Sequence, residues 1–275
     1  PPTDIPPTHV PLKPGASFFL GNVNRVTKEI NEDSRQYKID VTMPFSQWTG
    51  SEGYFKFGFF NEQLDRTYEQ DSFSNTNDAG AGFIGDFEDD WADVWEDEDH
   101  PIFPADIDVD YIGDQEIDAM YWMADVPLTD WFNVIGGIRY ESTEISIVNI
   151  PEEDVRWFPE GSAIAVDLNP GEADVDFSQD DELPSLGFKF TPIEQLVIRG
   201  NYAETVARQT FRELTPIQQQ EFLGADVFIG NPNLQMAALK NYDLRIDYTP
   251  YQGGLISASY FLKDIENPIE NVQKL

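Results

Sequence analysis

The stretch Asn241-Tyr242-Asp243-Leu244-Arg245-Ile246-Asp247-Tyr248 alternates without a break: Tyr242, Leu244, Ile246 and Tyr248 are apolar or aromatic, and the three residues between them are charged. Successive side chains of a β-strand point to opposite faces, so this segment reads as a strand with one oily and one wet side. The next such run places Ile256, Ala258, Tyr260 and Leu262 against Ser257, Ser259 and Lys263. Working towards the N-terminus, Leu196, Ile198 and Tyr202 oppose Arg199, Asn201 and Thr205, and Leu186, Phe188 and Phe190 oppose Ser185 and Lys189. Phe132, Val134, Ile138 and Tyr140 oppose Asn133, Arg139 and Glu141; Phe55, Phe57 and Phe59 oppose Tyr54, Lys56 and Gly58. From Arg35, the residues Tyr37, Ile39, Val41 and Met43 oppose Gln36, Lys38, Asp40 and Thr42, and a weaker pattern runs from Ile117 to Val126. About eight strands result, with Ser17 to Val23 as a possible ninth. The fold class is all-β.

The connections alternate in length. Gln47 to Ser51, Pro127 to Asp130, Thr191 to Glu194 and Thr249 to Gly253 are short and carry Pro, Thr, Asp or Gly, the residues of tight turns. Between them run the long segments 71 to 116, 150 to 182 and 213 to 237. An antiparallel meander of this kind gathers its turns at one end and its long loops at the other, as in an up-and-down transmembrane β-barrel with long extracellular loops. A soluble β-sandwich also alternates. The barrel is favoured by wet faces that mix Arg, Asp, Lys and Asn with Gly and Ser, as a water-filled lumen does. Tyr140, Tyr202, Tyr242 and Tyr248 also stand near the ends of oily faces, where an interfacial girdle sits.

Charge narrows the partners. With 51 acidic and 17 basic residues, the formal charge of −34 is opposite to what neutralising phosphates requires, so nucleic acid is excluded. No cysteine is present and only His9 and His100 among histidines, which removes disulfides and thiolate or imidazole zinc sites. No run approaches about 18 apolar residues, a test for membrane helices that does not sense membrane strands. Residues 1 to 34, with Pro at 1, 2, 6, 7, 11 and 14, read as a Pro-rich loop or linker with that possible strand, and residues 35 to 275 as the β domain. The chain opens on Pro1 without an initiator Met or a leader, as a processed product or an excerpt does.

The acidity is concentrated. Residues 71 to 118 hold 17 acids and no Lys or Arg, and 150 to 182 hold 11 acids with Arg156, leaving 23 acids and 16 bases elsewhere. The plain explanation is a solvated surface. Asp106, Asp108 and Asp110 form D-x-D-x-D, a weak signal for calcium or another divalent cation, because Tyr111 and Ile117 stand where an EF-hand loop has Gly and Glu. No resident cofactor is otherwise expected. Phe87, Trp91, Val94 and Trp95 share one face of a short helix if one forms there, and Trp91 and Trp95 are candidate ligand contacts. Arg139, Arg199 and Arg245, on wet faces, are candidate lumenal ligand contacts. Thr215, Pro216 and Gln218 predict a short helix, with Gly224 as its stop. No G-x-S-x-G, P-loop or H-E-x-x-H motif occurs, and the reading is that the chain is not an enzyme.

The segment Leu183 to Glu270 resembles the TonB-dependent receptors, energised transporters of the Gram-negative outer membrane. The ordered motifs are Leu183-Pro184-Ser185-Leu186, Asn201-Tyr202-Ala203-Glu204-Thr205, Ala207 to Leu214, Gly230-Asn231-Pro232-Asn233-Leu234, Asn241-Tyr242-Asp243-Leu244 and Tyr260 to Ile265. Upstream, Val134 to Glu141 is similar to a strand of the same barrels. Gln209 stands where the family usually has Pro, and Gln235-Met236 where Lys-Pro is frequent. The resemblance implies a barrel segment of about eight strands out of 22, located in the outer membrane and surrounded by its lipid. It implies uptake of a scarce ligand, such as a metal chelate or an oligosaccharide, and coupling to the TonB complex through a plug domain and TonB box that have no counterpart in this sequence. The alternative is a secreted acidic β-sandwich that binds carbohydrate through Trp91 and Trp95.

Overall fold

The computed structural model describes residues 24–48, 50–75, 102–104, 108–152, 155–221 and 225–273. Eight long strands form one antiparallel sheet in chain order: β1 (Asn24–Ser46), β2 (Glu52–Ser74), β4 (Tyr111–Thr129), β5 (Phe132–Asn149), β8 (Val175–Ile193), β9 (Leu196–Ala207), β12 (Ala237–Tyr248) and β13 (Ile256–Glu266). The two-residue β3 (Phe103–Pro104) pairs with the end of β2. Two small ribbons lie in the long connections: β6 (Arg156–Trp157) with β7 (Val166–Asp167), and β10 (Gln218–Gln219) with β11 (Phe228–Ile229). Each of the eight alternating runs in the sequence lies in one of the long strands. Nothing here bears on the segment Ser17 to Val23, which lies outside the described residues.

The short turns all fall at one end, the turn end, and the long connections at the other, the loop end. In the turn after β1, Gly50 N donates to Gln47 O at 2.9 Å with φ of +84°, a backbone state that costs glycine little.

Register carries the alternation across the sheet, because paired residues share a face. One row reads Met43, Phe55, Ala124, Gly136, Leu186, Tyr202, Tyr242 and Leu262 through all eight strands and contains no charge. The row above it towards the loop end begins Val41, Phe57, Trp122, Ile138. Most of these large apolar side chains are exposed, Phe57 at 47% and Trp122 at 51%, while Ile138 and Tyr202 are half-buried. Packed aromatic pairs border the band at the turn end, among them Phe45 with Phe55 at 4.9 Å and Trp131 with Phe190 at 5.6 Å between ring centroids. A sandwich would cover such a face with a second sheet, and no second layer lies over it among the described residues. An uncovered, uncharged aromatic band on an antiparallel sheet is the lipid face of a barrel wall.

The long strands outrun the band. β1 and β2 are each 23 residues, whereas a tilted membrane strand needs about 9–11. Residues 71 to 74, 111 to 116 and 175 to 182, expected in loops, are therefore strand, and β1 begins at Asn24 rather than near Arg35. Above the band, outward positions become polar, as in the row Asp33, Asp65, Asp114, Ser146, Asp176.

The buried core lies on the opposite face, at the loop end. Tyr111, Ile145, Ile147 and Val175 point inward from the sheet, and Val155 and Leu168 from one connection and Phe211, Leu214 and Ile217 from another pack onto them. A one-turn helix, Phe211–Leu214, sits in this core. It starts at Thr210, and not at Thr215 as predicted, because Thr210-x-x-Glu213 is itself a capping box: Glu213 N donates to the Thr210 hydroxyl at 3.3 Å, and Thr210 N donates to the Glu213 carboxylate at 2.7 Å. Thr215 instead ends the turn, its N–H donating to Phe211 O at 3.0 Å. Ile217 bridges to Trp157, and Gln218–Gln219 pair as β10, which draws those residues out of any helix. Gly224 lies outside the described residues.

Candidate functional site

The inward face opposite the oily band is polar and is tied together by ion pairs, as the wall of a wet lumen is. On β1, β2 and β4 the inward row Asp40, Gly58, Tyr121 places a carboxylate beside a phenol, and the Tyr121 hydroxyl donates to Asp40 at 2.5 Å. Lys38 and Lys56 each lie 3.4 Å from the same carboxylate, and the Lys56 ammonium stands 5.7 Å from the Tyr121 ring centroid. Gly58 makes this possible, since a Cβ there would meet the Tyr121 ring at 2.1 Å.

Arg139 follows Tyr121 in the same row. Its guanidinium donates twice to Glu141, at 2.6 Å from Nε and 2.5 Å from Nη2, and lies 5.3 Å from the Phe60 ring centroid. The Glu141 side chain is only 4% exposed, and its other oxygen pairs with Arg208, the residue after β9. Arg208 Nε also donates to Thr143 at 3.2 Å. One carboxylate thus holds a guanidinium of the wall and one of the loop, a charge-assisted arrangement that fixes where the loop leaves the sheet. Burial, and then the like charge of Arg139, lower the Arg208 guanidinium below its ordinary value, with Glu62 opposing.

The predicted arginines do not form one site. Arg199 and Arg245 meet at Asp247, at 2.5 and 3.0 Å, where Ser257 also donates at 2.7 Å. Their row pairs with Lys189 on β8, whereas Arg139 pairs with Leu183, which places Arg139 about 20 Å farther along the wall towards the loop end. Asp108 and Asp110 turn onto β2: the Ser72 hydroxyl donates to Asp108 at 2.9 Å, and Gln70 N donates to Asp110 at 3.0 Å. They pin the chain as it enters β4. No group of three His, Cys, Asp or Glu suited to a metal occurs among the described residues. Asp106, Trp91 and Trp95 lie outside those residues.

Sequence reading names Glu141, Asp40 and Lys56 only as wet-face residues and Arg208 only within a family motif, and it does not give these or Tyr121 as site residues. The signal was present for the first, because Glu141 is two residues from Arg139 on the same inward face. For Arg208 and Glu141 the pairing is a tertiary contact between a connection and a strand, which periodicity does not show.

The whole domain has known relatives. A family model described as TonB dependent receptor-like, beta-barrel, matches residues 14–275. No curated protein matches the chain. Among solved structures, the alcaligin outer-membrane receptor FauA of Bordetella pertussis superposes with a TM-score of 0.53 at 12% identity, over 90% of this chain and 32% of that one. The ferric yersiniabactin uptake receptor FyuA of Yersinia pestis gives 0.52 at 13% identity, over 89% of this chain and 30% of its own. The chain therefore spans about a third of the length of these receptors, and the likeness concerns the barrel fold. With an uncharged outward band, a polar inward wall and turns and loops sorted to opposite ends, the chain belongs to the TonB-dependent receptor-like β-barrel family and is a segment of a Gram-negative outer-membrane barrel.

Proposed function

We propose that this chain supplies part of the wall, lumen lining and extracellular mouth of an active uptake receptor for a scarce ligand, with energy coupling through the TonB complex by parts outside this chain. The observation that carries the reading is the two-faced sheet. Its oily side is built for lipid, and its other side carries the Lys38–Asp40–Lys56–Tyr121 cluster and, next in register, the Arg139–Glu141 pair, beneath inward-folded loops. Such a wall binds by non-covalent contact, and the proposed role is capture and passage rather than catalysis.

The ligand class follows from charge. Segments 71–118 and 150–182 carry 28 carboxylates against Arg156, a negative field that reaches about 8 Å at physiological ionic strength. It favours a neutral or cationic ligand, or one bridged by a metal ion, since carboxylate oxygens suit hard cations. A metal chelate of that charge is the leading candidate, with Trp91 and Trp95 as contacts in the acidic segment.

The test is to express the complete receptor in a strain lacking its own chelate receptors, with and without functional TonB, and to measure uptake of radio-iron chelates of positive, zero and negative charge. TonB-dependent uptake of a neutral or cationic chelate, slowed by salt only when the chelate is cationic, supports the reading. The charge argument is refuted if the transported chelate is anionic and changing Asp89, Asp90, Asp97 and Asp99 to Asn leaves its rate unchanged. No TonB-dependent uptake of any chelate or oligosaccharide would refute the receptor role itself.

A further inference from the structure

The two connections described at the loop end do not stand away from the sheet; they fold onto its inward face. We propose that residues 155–174 and 208–221 form a fixed shelf over the lumenal wall, packed at its tip and latched at its root by Arg139, Glu141 and Arg208, so that neither of these two stretches acts as a moving lid.

The tip is built like a protein interior. Phe211, Leu214 and Ile217 of one connection and Val155 and Leu168 of the other are all at most 6% exposed, and they pack with Tyr111, Ile145, Ile147 and Val175 of the wall. A continuous buried cluster of this kind opens only when several contacts are lost together. Gly113 leaves the space that the Phe211 ring fills, since a Cβ there would meet the ring at 2.8 Å, and the Arg66 guanidinium lies 5.4 Å from that ring's centroid. The two connections are also joined to each other. Phe158 N donates to Pro216 O at 3.1 Å, and Ile217 bridges to Trp157. Within the second connection, Gly230 N donates to Thr215 O at 3.0 Å and Asn231 N to Glu213 O at 2.7 Å.

The root is the ion-paired carboxylate. Glu141 lies on β5 with its side chain buried, and removing its charge leaves two guanidiniums facing one another without their shared partner. Packing and charge thus act at two separate points on the same connection. One consequence is that Arg139 and Tyr121 lie below the shelf and meet only a ligand that has already passed it. Another is that any opening of the mouth belongs to other segments.

Hydrogen–deuterium exchange on the folded, ligand-free complete receptor tests this without knowledge of the ligand, so its outcome is separate from that of the uptake reading. Amides of 211–219 and 228–231 are expected to exchange within about tenfold of the β5 amides 141–147, and Glu141→Gln to speed 208–219 about tenfold while leaving 134–140 unchanged. Arg208→Gln is the second variant, to be read in the same way if Glu141→Gln fails to fold, with heat-modifiable gel migration as the check of folding. Exchange of 211–219 within seconds in the unaltered receptor would overturn the fixed shelf. Unchanged exchange in both folded variants would overturn the latch.

Discussion

Phe57 stands in the middle of the outward run Phe55, Phe57, Phe59 of β2, paired with Val41 on β1 and Trp122 on β4, and its chain neighbour Lys56 pairs with Thr42 on the opposite, inward face. On β1 the outward apolar set runs from Tyr37 to Phe45. At about 3.4 Å per residue that is about 27 Å of strand, or about 20 Å along the membrane normal at a tilt near 40°. The Val41–Phe57–Trp122 row is at its centre. Phe57→Lys therefore places an ammonium near the midplane, at a cost of about 2–4 kcal/mol. With about 1.4 kcal/mol per factor of ten, the folding equilibrium should move by about 30- to 700-fold. Thr42→Lys adds the same group on the exposed inward face, where water solvates it, and should change stability by less than about 1 kcal/mol. Both are measured by denaturant titration of the complete barrel in lipid vesicles, with Phe57→Leu as the control for lost aromatic area. Equal shifts for the two lysines would show that the outward band does not face lipid and would remove the basis of the membrane assignment.

Ile246→Lys should likewise destabilise the folded barrel in vesicles far more than Arg245→Gln, because Ile246 pairs with Ile198 and Ala258 on the oily face and Arg245 with Arg199 and Ser259 on the wet one; comparable tolerance would point to a soluble protein. A Glu-specific protease added to intact cells should cut at the exposed Glu160 or Glu172, and chymotrypsin should reach the exposed turn residue Tyr251 only after the outer membrane is breached; cleavage at Tyr251 in sealed cells contradicts the orientation. Gly113→Ala forces its new methyl against the buried Phe211 ring and should cost about 1–3 kcal/mol, seen as a lowered denaturation midpoint and faster exchange in 211–219 with the outward band intact; no change in either readout would show that the ring does not occupy that space.

The oily half of this protein was legible in the sequence and its polar half was not. Wherever lipid touches one face of a strand and water the other, the two environments force opposite residue types at successive positions, and the eight runs, their faces and the sorting of turns from loops follow from local pattern alone. Above the band that contrast vanishes. Asp65, Asp114 and Asp176 face outward, while Arg66, Gln115 and Phe177 face inward, so no apolar–polar period marks these residues as strand, and residues 114, 115, 176 and 177 read as loop. Two capping boxes competed for the helix near residue 213, and the choice fell to Thr210 because Ile217 and Gln219 found partners elsewhere in the chain. The meeting of Glu141 with Arg208, like that of Arg199 with Arg245 at Asp247, depends on register and on the way the connections fold back onto the wall. Register is a long-range property of paired strands, and burial of a loop against a wall is fixed only when both surfaces exist. The membrane thus wrote the strands into the sequence, and the lumen was assembled only by tertiary contact.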